Sequence, residues 1–107
     1  MLTPDSIREK IVQVQVELRR APDIIEGLEA EAERAELAAS AMVDQRFLGA
    51  VGNVEERKAM ARLDAADVRD VAVVSRAAYN RGRLKVRLLE AELMSLQALL
   101  KSVQAEL

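Results

Sequence analysis

The chain has neither cysteine nor histidine, and only two of its 107 residues, Phe47 and Tyr79, are aromatic. The lack of cysteine excludes disulfides and thiol chemistry. The lack of histidine removes the commonest general base and a frequent ligand of transition metals. Four glycines and two prolines leave few turns, which argues against an all-β fold. We therefore expect a non-enzymatic protein that uses no metal and no cofactor.

Long apolar runs are also missing. No run approaches the roughly 18 residues that a membrane-spanning helix needs. The N-terminus, Met1 to Asp5, has no basic stretch followed by an apolar one, the pattern that marks a secretory signal. The sequence therefore predicts a soluble protein of the cytoplasm with no membrane partner.

Aliphatic and charged residues make up most of the chain. Half of the chain is hydrophobic, and alanine, leucine, valine, glutamate and arginine dominate, a mixture typical of long packed helices. Near the C-terminus, large apolar residues follow an alternating 3-4 spacing, the heptad repeat of helices that pack together. These residues, called the seam below, are Val86, Leu89, Leu93, Leu96, Leu100, Val103 and Leu107.

The first half of the chain predicts one helical arm. Thr3 can cap its start, and Pro4 suits the first helical position. Apolar residues then recur at helical spacing without losing register at Pro22, which favours a kink there over a chain reversal. A reversal would instead give a monomeric three-helix bundle. The repeating positions are Ile7, Ile11, Val14, Leu18, Ala21, Ile25, Leu28, Ala32, Ala35, Ala39 and Met42.

Glycine and asparagine mark the main turn. Gly49 and Gly52 can end a helix and form a loop, and Gly52 is expected to need positive φ. Asn53 can cap a second arm together with Glu56. A weak interruption is expected near Leu63-Asp64.

These signals divide the chain into one domain, 1–107, with arm one at about 4–48, a turn at 49–53 and arm two at about 54–106. Nearly equal arms around one short turn predict an all-α, long antiparallel helical hairpin, coiled-coil-like, with a kink near Pro22. Pairing about Val51 places Ile25 near Ala77 and Ile11 near Ala91. Small residues dominate the middle of the pattern and large ones its open end, and Met42, Met60 and Met94 are expected to fill the core.

A two-helix hairpin buries only one stripe, and Leu84, Leu88 and Leu99 widen the apolar face beyond what one partner arm needs. We therefore expect self-association into a helical bundle, as a homodimer or small homo-oligomer. The expected oligomer interface consists of Val86, Leu89, Leu93, Leu96, Leu100 and Val103.

Basic residues are concentrated in the second arm. Five of them, and no acid, lie between Val71 and Leu89. Basic side chains neutralise phosphates, and an aromatic ring can stack on a base. The set predicted to contact nucleic acid or an acidic protein partner comprises Arg19, Arg20, Arg76, Tyr79, Arg81, Arg83, Lys85 and Arg87. A solvated helix surface with local ion pairs is the favoured alternative.

An acidic ladder of Glu26, Glu29, Glu33 and Glu36 runs along the first arm at helical spacing. Paired carboxylates can act as acid and base or bind a divalent metal, and an acidic helical surface can mimic DNA. Without histidine, we favour a solvated stripe for these residues.

Two short segments carry a resemblance. Gly52 to Ala59 reads Gly-Asn-Val-Glu-Glu-Arg-Lys-Ala, and Leu96 to Ser102 reads Leu-Gln-Ala-Leu-Leu-Lys-Ser. Over roughly residues 40–107 the chain resembles small helical proteins, mostly uncharacterised, of tailed bacteriophages and prophages. These carry a Gly-(Thr/Asn)-Val-x-Glu-Arg-Lys-Ala turn before a long leucine-rich helix. The resemblance implies a phage accessory protein in the cytoplasm of an infected bacterium, and it supplies no catalytic residues.

These observations lead to one principal hypothesis and two alternatives. The principal hypothesis is a non-enzymatic phage accessory protein that acts through helical protein–protein interaction, with itself and with an unidentified host or phage protein. The first alternative is a nucleic-acid-binding accessory factor in phage DNA metabolism. The second is a structural or scaffolding component of virion assembly.

Overall fold

The computed structural model describes residues 2–106, and it is all-helical. α1 spans Pro4–Gly49, α2 spans Val54–Asp64 and α3 spans Ala66–Ala105. Residues 2–106 contain no strand. The predicted all-α class is therefore confirmed, and Leu107 of the seam lies outside the described residues.

The start of α1 is fixed by two reciprocal bonds between Thr3 and Ser6. The backbone N–H of Ser6 donates to Oγ1 of Thr3 at 3.1 Å, and the backbone N–H of Thr3 donates to Oγ of Ser6 at 3.0 Å. Both bonds satisfy donors that the first helical turn leaves without a partner. The start predicted from Thr3 and Pro4 is confirmed.

Pro22 lies inside α1, which continues on both sides of it. The chain does not reverse there, so the alternative of a three-helix bundle folded back at Pro22 is wrong. Pro22 has no N–H to donate to the carbonyl of Leu18, a loss that normally breaks a helix. The in-register apolar positions on both sides of Pro22, such as Leu18 and Ile25, are half-buried. Their packing favours a continuous helix over a break.

Gly52 and Asn53 build the loop at 50–53 as predicted. Gly52 has φ of 123°, a conformation that favours glycine. The backbone N–H of Glu56 donates to Oδ1 of Asn53 at 2.9 Å. The return bond runs from Nδ2 of Asn53 to Oε1 of Glu56 at 2.9 Å. The capping pair is therefore confirmed, and its second bond uses the side-chain amide of Asn53 in place of the backbone N–H of a standard capping box.

Gly52→Ala is expected to lower the free energy of unfolding by about 1–2 kcal/mol. A Cβ at this position would have a positive φ and would lie too close to Oε2 of Glu56. Gly49→Ala is the matched control, because a Cβ at Gly49 meets nothing within 4 Å. Urea unfolding followed by circular dichroism measures both variants, and equal stabilities would contradict the role assigned to Gly52.

A one-residue break at Ala65 separates α2 from α3. Ala65 has φ −94° and ψ 6°. Its N–H donates to the carbonyl of Ala61 at 3.1 Å, and its carbonyl accepts from the N–H of Arg69 at 3.0 Å. This confirms the interruption predicted near Leu63-Asp64 and shows that it leaves the hydrogen bonds of Ala65 satisfied.

The chain divides into two compact units. The terminal unit comprises Met1–Ile25 and Arg81–Leu107, and the loop unit comprises Glu26–Asn80. In the terminal unit the buried residues are Ile7, Val14 and Ala21. In the loop unit all are alanines, namely Ala32, Ala39, Ala61, Ala65 and Ala72. The predicted contrast between a small-residue middle and a large-residue end is therefore confirmed.

Two predictions about packing are wrong. Met60 and Met94, expected in the core, are 49% and 71% exposed, whereas Met42 is half-buried. The pairing about Val51 is also wrong: it would place Glu36 opposite residue 66, whereas Glu36 is bonded to Arg76, ten residues farther along the chain.

None of the helices within residues 2–106 has both the length and the apolar character that crossing a membrane requires.

Candidate functional site

The terminal unit contains a groove of about 250 Å³ between α1 and α3. Its apolar lining combines residues of both helices, and its charged lining comes from Glu17, Arg20 and Lys85. The remaining lining residues are Ala21, Ile24, Ile25, Gly82, Val86 and Leu89.

Small side chains explain why this groove exists. Ala21 on α1 and Gly82 on α3 both line it, and neither has the volume to fill the space between the helices. Ile24 lines it as well while remaining 58% exposed. The result is an open apolar groove with basic side chains beside it.

The six predicted interface residues all belong to the terminal unit, and all six are half-buried. Val86 and Leu89 lie beside Ala21 and Ile25 in the groove, so part of their surface is covered within the chain. Leu84, Leu88 and Met94 lie elsewhere on α3 and are 54%, 61% and 71% exposed. The terminal unit therefore retains a large uncovered apolar surface.

Helical geometry divides the predicted basic set. At about 100° per residue, Arg81 and Lys85 lie on one side of the seam and Arg83 and Arg87 on the other. Lys85 lines the groove together with Arg20 of α1. The basic residues of the terminal unit thus form two separate pairs on α3, only one of which adjoins the groove.

The remaining basic residue of the terminal unit's predicted set, Arg19, interacts within its own helix. Its Nε lies 3.4 Å from the carbonyl oxygen of Gln15, as a long hydrogen bond.

Charge is distributed unequally between the two units. The terminal unit has nine lysines and arginines against seven acids, and the loop unit has seven against eleven. An acidic partner or a phosphate backbone would therefore meet favourable charge on the terminal unit.

Arg76 and Tyr79, also in the predicted set, belong to the loop unit. Nε of Arg76 donates to Oε2 of Glu36 at 3.0 Å, and its Nη2 donates to Oε1 of the same carboxylate. The Arg76 guanidinium also lies 5.3 Å from the centre of the Tyr79 ring. This bidentate pair holds α1 to α3 within the loop unit, so Arg76 is engaged by a carboxylate and is a poor candidate for phosphate binding.

The hydrogen bonds from Arg76 lower the pKa of Glu36, burial opposes the shift, and the charge of Arg76 adds to it. A carboxyl with a lowered folded-state pKa stabilises the fold above its unfolded pKa, and this contribution disappears as the pH falls through the folded pKa. Glu36→Gln should therefore lower the melting temperature at pH 7. The difference from the wild type should shrink as the pH falls below the ordinary carboxyl value of 4.5.

Thermal unfolding followed by circular dichroism between acid and neutral pH measures this difference. Glu29→Gln, an exposed change on the same helix, is the control. A Glu36→Gln deficit that stays constant down to low pH would contradict the ionic pairing.

A second arginine interaction, which the sequence does not indicate, joins Arg57 of α2 to Phe47 of α1 across the loop at 50–53. Nε and Nη2 of Arg57 donate to the carbonyl oxygen of Phe47 at 3.3 and 3.0 Å, and its guanidinium lies 4.4 Å from the centre of the Phe47 ring. The bonds satisfy a carbonyl in the last turn of α1. Sequence alone offers no signal for this contact beyond an arginine and an aromatic residue that flank the same turn.

The four glutamates of the acidic ladder differ in exposure and in hydrogen bonding. Glu26, Glu29 and Glu33 are exposed, whereas Glu36 is half-buried and bonded to Arg76. Across residues 2–106 no three acidic side chains come close enough together to hold a metal ion.

Three comparisons with known proteins found no match for the chain. No protein-family model matches it, and neither the curated proteins nor the solved structures include a significant match.

Proposed function

We propose that the chain is an antiparallel helical hairpin that self-associates through its terminal unit and acts as a non-enzymatic interaction protein. In the loop unit, Phe47 contacts Arg57 next to the loop, and Glu36 contacts Arg76 farther from it. Contacts that move away from the loop on both sides of the chain are those of antiparallel arms.

The uncovered apolar surface of the terminal unit is the observation that carries self-association. The seam is only half-buried, and Leu84, Leu88 and Met94 are more than half exposed. Fully burying one such side chain contributes about 1.5–3 kcal/mol. A second copy would cover this surface as the neighbouring helices of a bundle do.

Leu96→Asp tests the bundle, because it places a charge in the half-buried seam. It should shift the mass measured by light scattering toward that of the single chain, 11.8 kDa. Gln97→Asp adds the same charge at an exposed neighbouring position and should leave the mass unchanged. Circular dichroism checks that both variants stay helical. An unchanged mass in a helical Leu96→Asp variant would refute the role of the seam.

The cellular role we propose is that of a tailed-phage accessory protein in the cytoplasm of an infected bacterium, with a host or phage protein as its partner. The support is the resemblance at Gly52 to Ala59 and Leu96 to Ser102. A virion scaffold would differ in solution, because it would assemble without limit as concentration rises, whereas an accessory factor should form one discrete oligomer.

Nucleic-acid binding is a second candidate, and the exposed pair Arg83 and Arg87 favours it. Fluorescence anisotropy with labelled single- and double-stranded DNA and RNA, at low and moderate salt, tests it. Binding should weaken steeply with salt and disappear in an Arg83→Glu/Arg87→Glu variant. It should persist in the loop-unit control Arg46→Glu/Arg69→Glu. Absence of binding at low salt would remove this candidate.

A further inference from the structure

Four side chains form a continuous stripe on α3 beside the groove. Arg81, Lys85, Leu88 and Glu92 follow a 4-3-4 spacing, which places them on one side of the helix. All four are exposed, and Leu88 is 61% exposed. Within residues 2–106, none of the three charged members takes part in an ion pair.

This stripe is complementary to itself in the antiparallel direction. A two-fold axis that passes between Val86 and Arg87 pairs residues at equal distances on either side. It places Arg81 opposite Glu92 of a second copy, and Lys85 opposite Leu88 of that copy. The same two pairs recur by symmetry, as an isologous interface requires. A parallel arrangement would instead place Arg81 opposite Arg81.

We infer that the groove of each copy receives Leu88 of a second copy, in an antiparallel dimer flanked by two Arg81–Glu92 pairs. Lys85, the residue opposite the incoming Leu88, itself lines the groove. The groove offers apolar contacts from Ala21, Ile25 and Leu89. Its volume of about 250 Å³ exceeds the roughly 150 Å³ that accommodates a benzene molecule in an engineered protein cavity.

Charge complementarity selects a second copy as the occupant. A second copy is one molecule that brings both an exposed leucine and a carboxylate at the matching spacing. This inference rests on the proposed self-association and adds to the half-buried seam, in which Leu96 lies, a second contact surface centred on the exposed Leu88.

Leu88→Asp tests the contact, with light scattering at about 10 to 200 µM, a range that includes the micromolar affinity of weak interfaces. The wild type should approach twice 11.8 kDa, and Leu88→Asp should stay near 11.8 kDa. Leu37→Asp, at a leucine of the loop unit that is 70% exposed, should remain dimeric. Because both leucines are exposed, both variants should keep the helix content of the wild type.

Charge reversal tests the antiparallel direction. Arg81→Glu and Glu92→Arg should each weaken the dimer at least about fivefold, because two pairs become repulsive in each dimer. The double variant should restore the affinity. A wild type of 11.8 kDa at every concentration would overturn both this interface and the proposed self-association. A Leu88→Asp variant that stays dimeric would overturn this interface alone, and absence of rescue would overturn the antiparallel pairing.

Discussion

Ile7→Ala is expected to lower the free energy of unfolding by about 2–5 kcal/mol. Ile7 is the largest side chain in residues 2–106 that is fully shielded from solvent. Removing its outer carbons forfeits their burial and leaves a cavity that the neighbouring helices fill only in part. A loss of this size is a large fraction of the total stability of a small domain.

Urea unfolding followed by circular dichroism measures the loss. Val12→Ala removes aliphatic carbons from the same helix at a side chain that is 54% exposed, and it should change stability by less than about 0.5 kcal/mol. Amide hydrogen exchange shows where stability is lost, because Ile7→Ala should reduce the protection of backbone amides in the terminal unit first. Equal effects of the two variants would contradict the burial of Ile7.

Pro22→Ala is expected to raise the free energy of unfolding by about 1–3 kcal/mol. α1 continues through Pro22, which is exposed, so the substitution removes no buried contact. Alanine restores an N–H that can donate to the carbonyl of Leu18, and it removes the clash of the proline ring with that turn.

Asp23→Ala is the control for Pro22→Ala, since it changes the next exposed position to the same residue. It should alter stability by less than about 0.5 kcal/mol. A Pro22→Ala variant less stable than the wild type would mean that the packing depends on a bend at this position, and a kink at Pro22 remains a prediction.

Much of the fold was predictable from helical spacing and from the backbone preferences of single residues. All eleven repeating positions assigned to the first arm, from Ile7 to Met42, are buried or half-buried. The spacing predicts this because the rotation per residue fixes which side chains share a helix face. Gly52 and Asn53 were predictable for a similar reason, since their preferences depend on their own φ and capping geometry.

Contacts between residues distant in sequence were not predictable. The Glu36–Arg76 and Arg57–Phe47 interactions depend on the register of one helix against another, which no local pattern specifies. The apolar character of Met94 predicts a place in the core, yet Met94 is 71% exposed. Hydrophobicity alone does not determine burial, because much of a folded surface is apolar.

The candidate site was predictable in part. The sequence identified the basic residues and the seam, but it treated Arg81 to Arg87 as one group. Helical rotation separates them, and Arg76 is engaged by Glu36. The groove was not predictable, because it depends on Ala21 of α1 and Gly82 of α3 facing the same space.

The most direct test of the account is the molar mass of the wild-type chain, measured by light scattering over a concentration series. The account predicts a discrete oligomer, at least twice the single-chain mass of 11.8 kDa, that dissociates on dilution. A constant mass of 11.8 kDa up to the highest concentration would contradict it, because the exposed apolar surface of the terminal unit would then have no second copy to cover it.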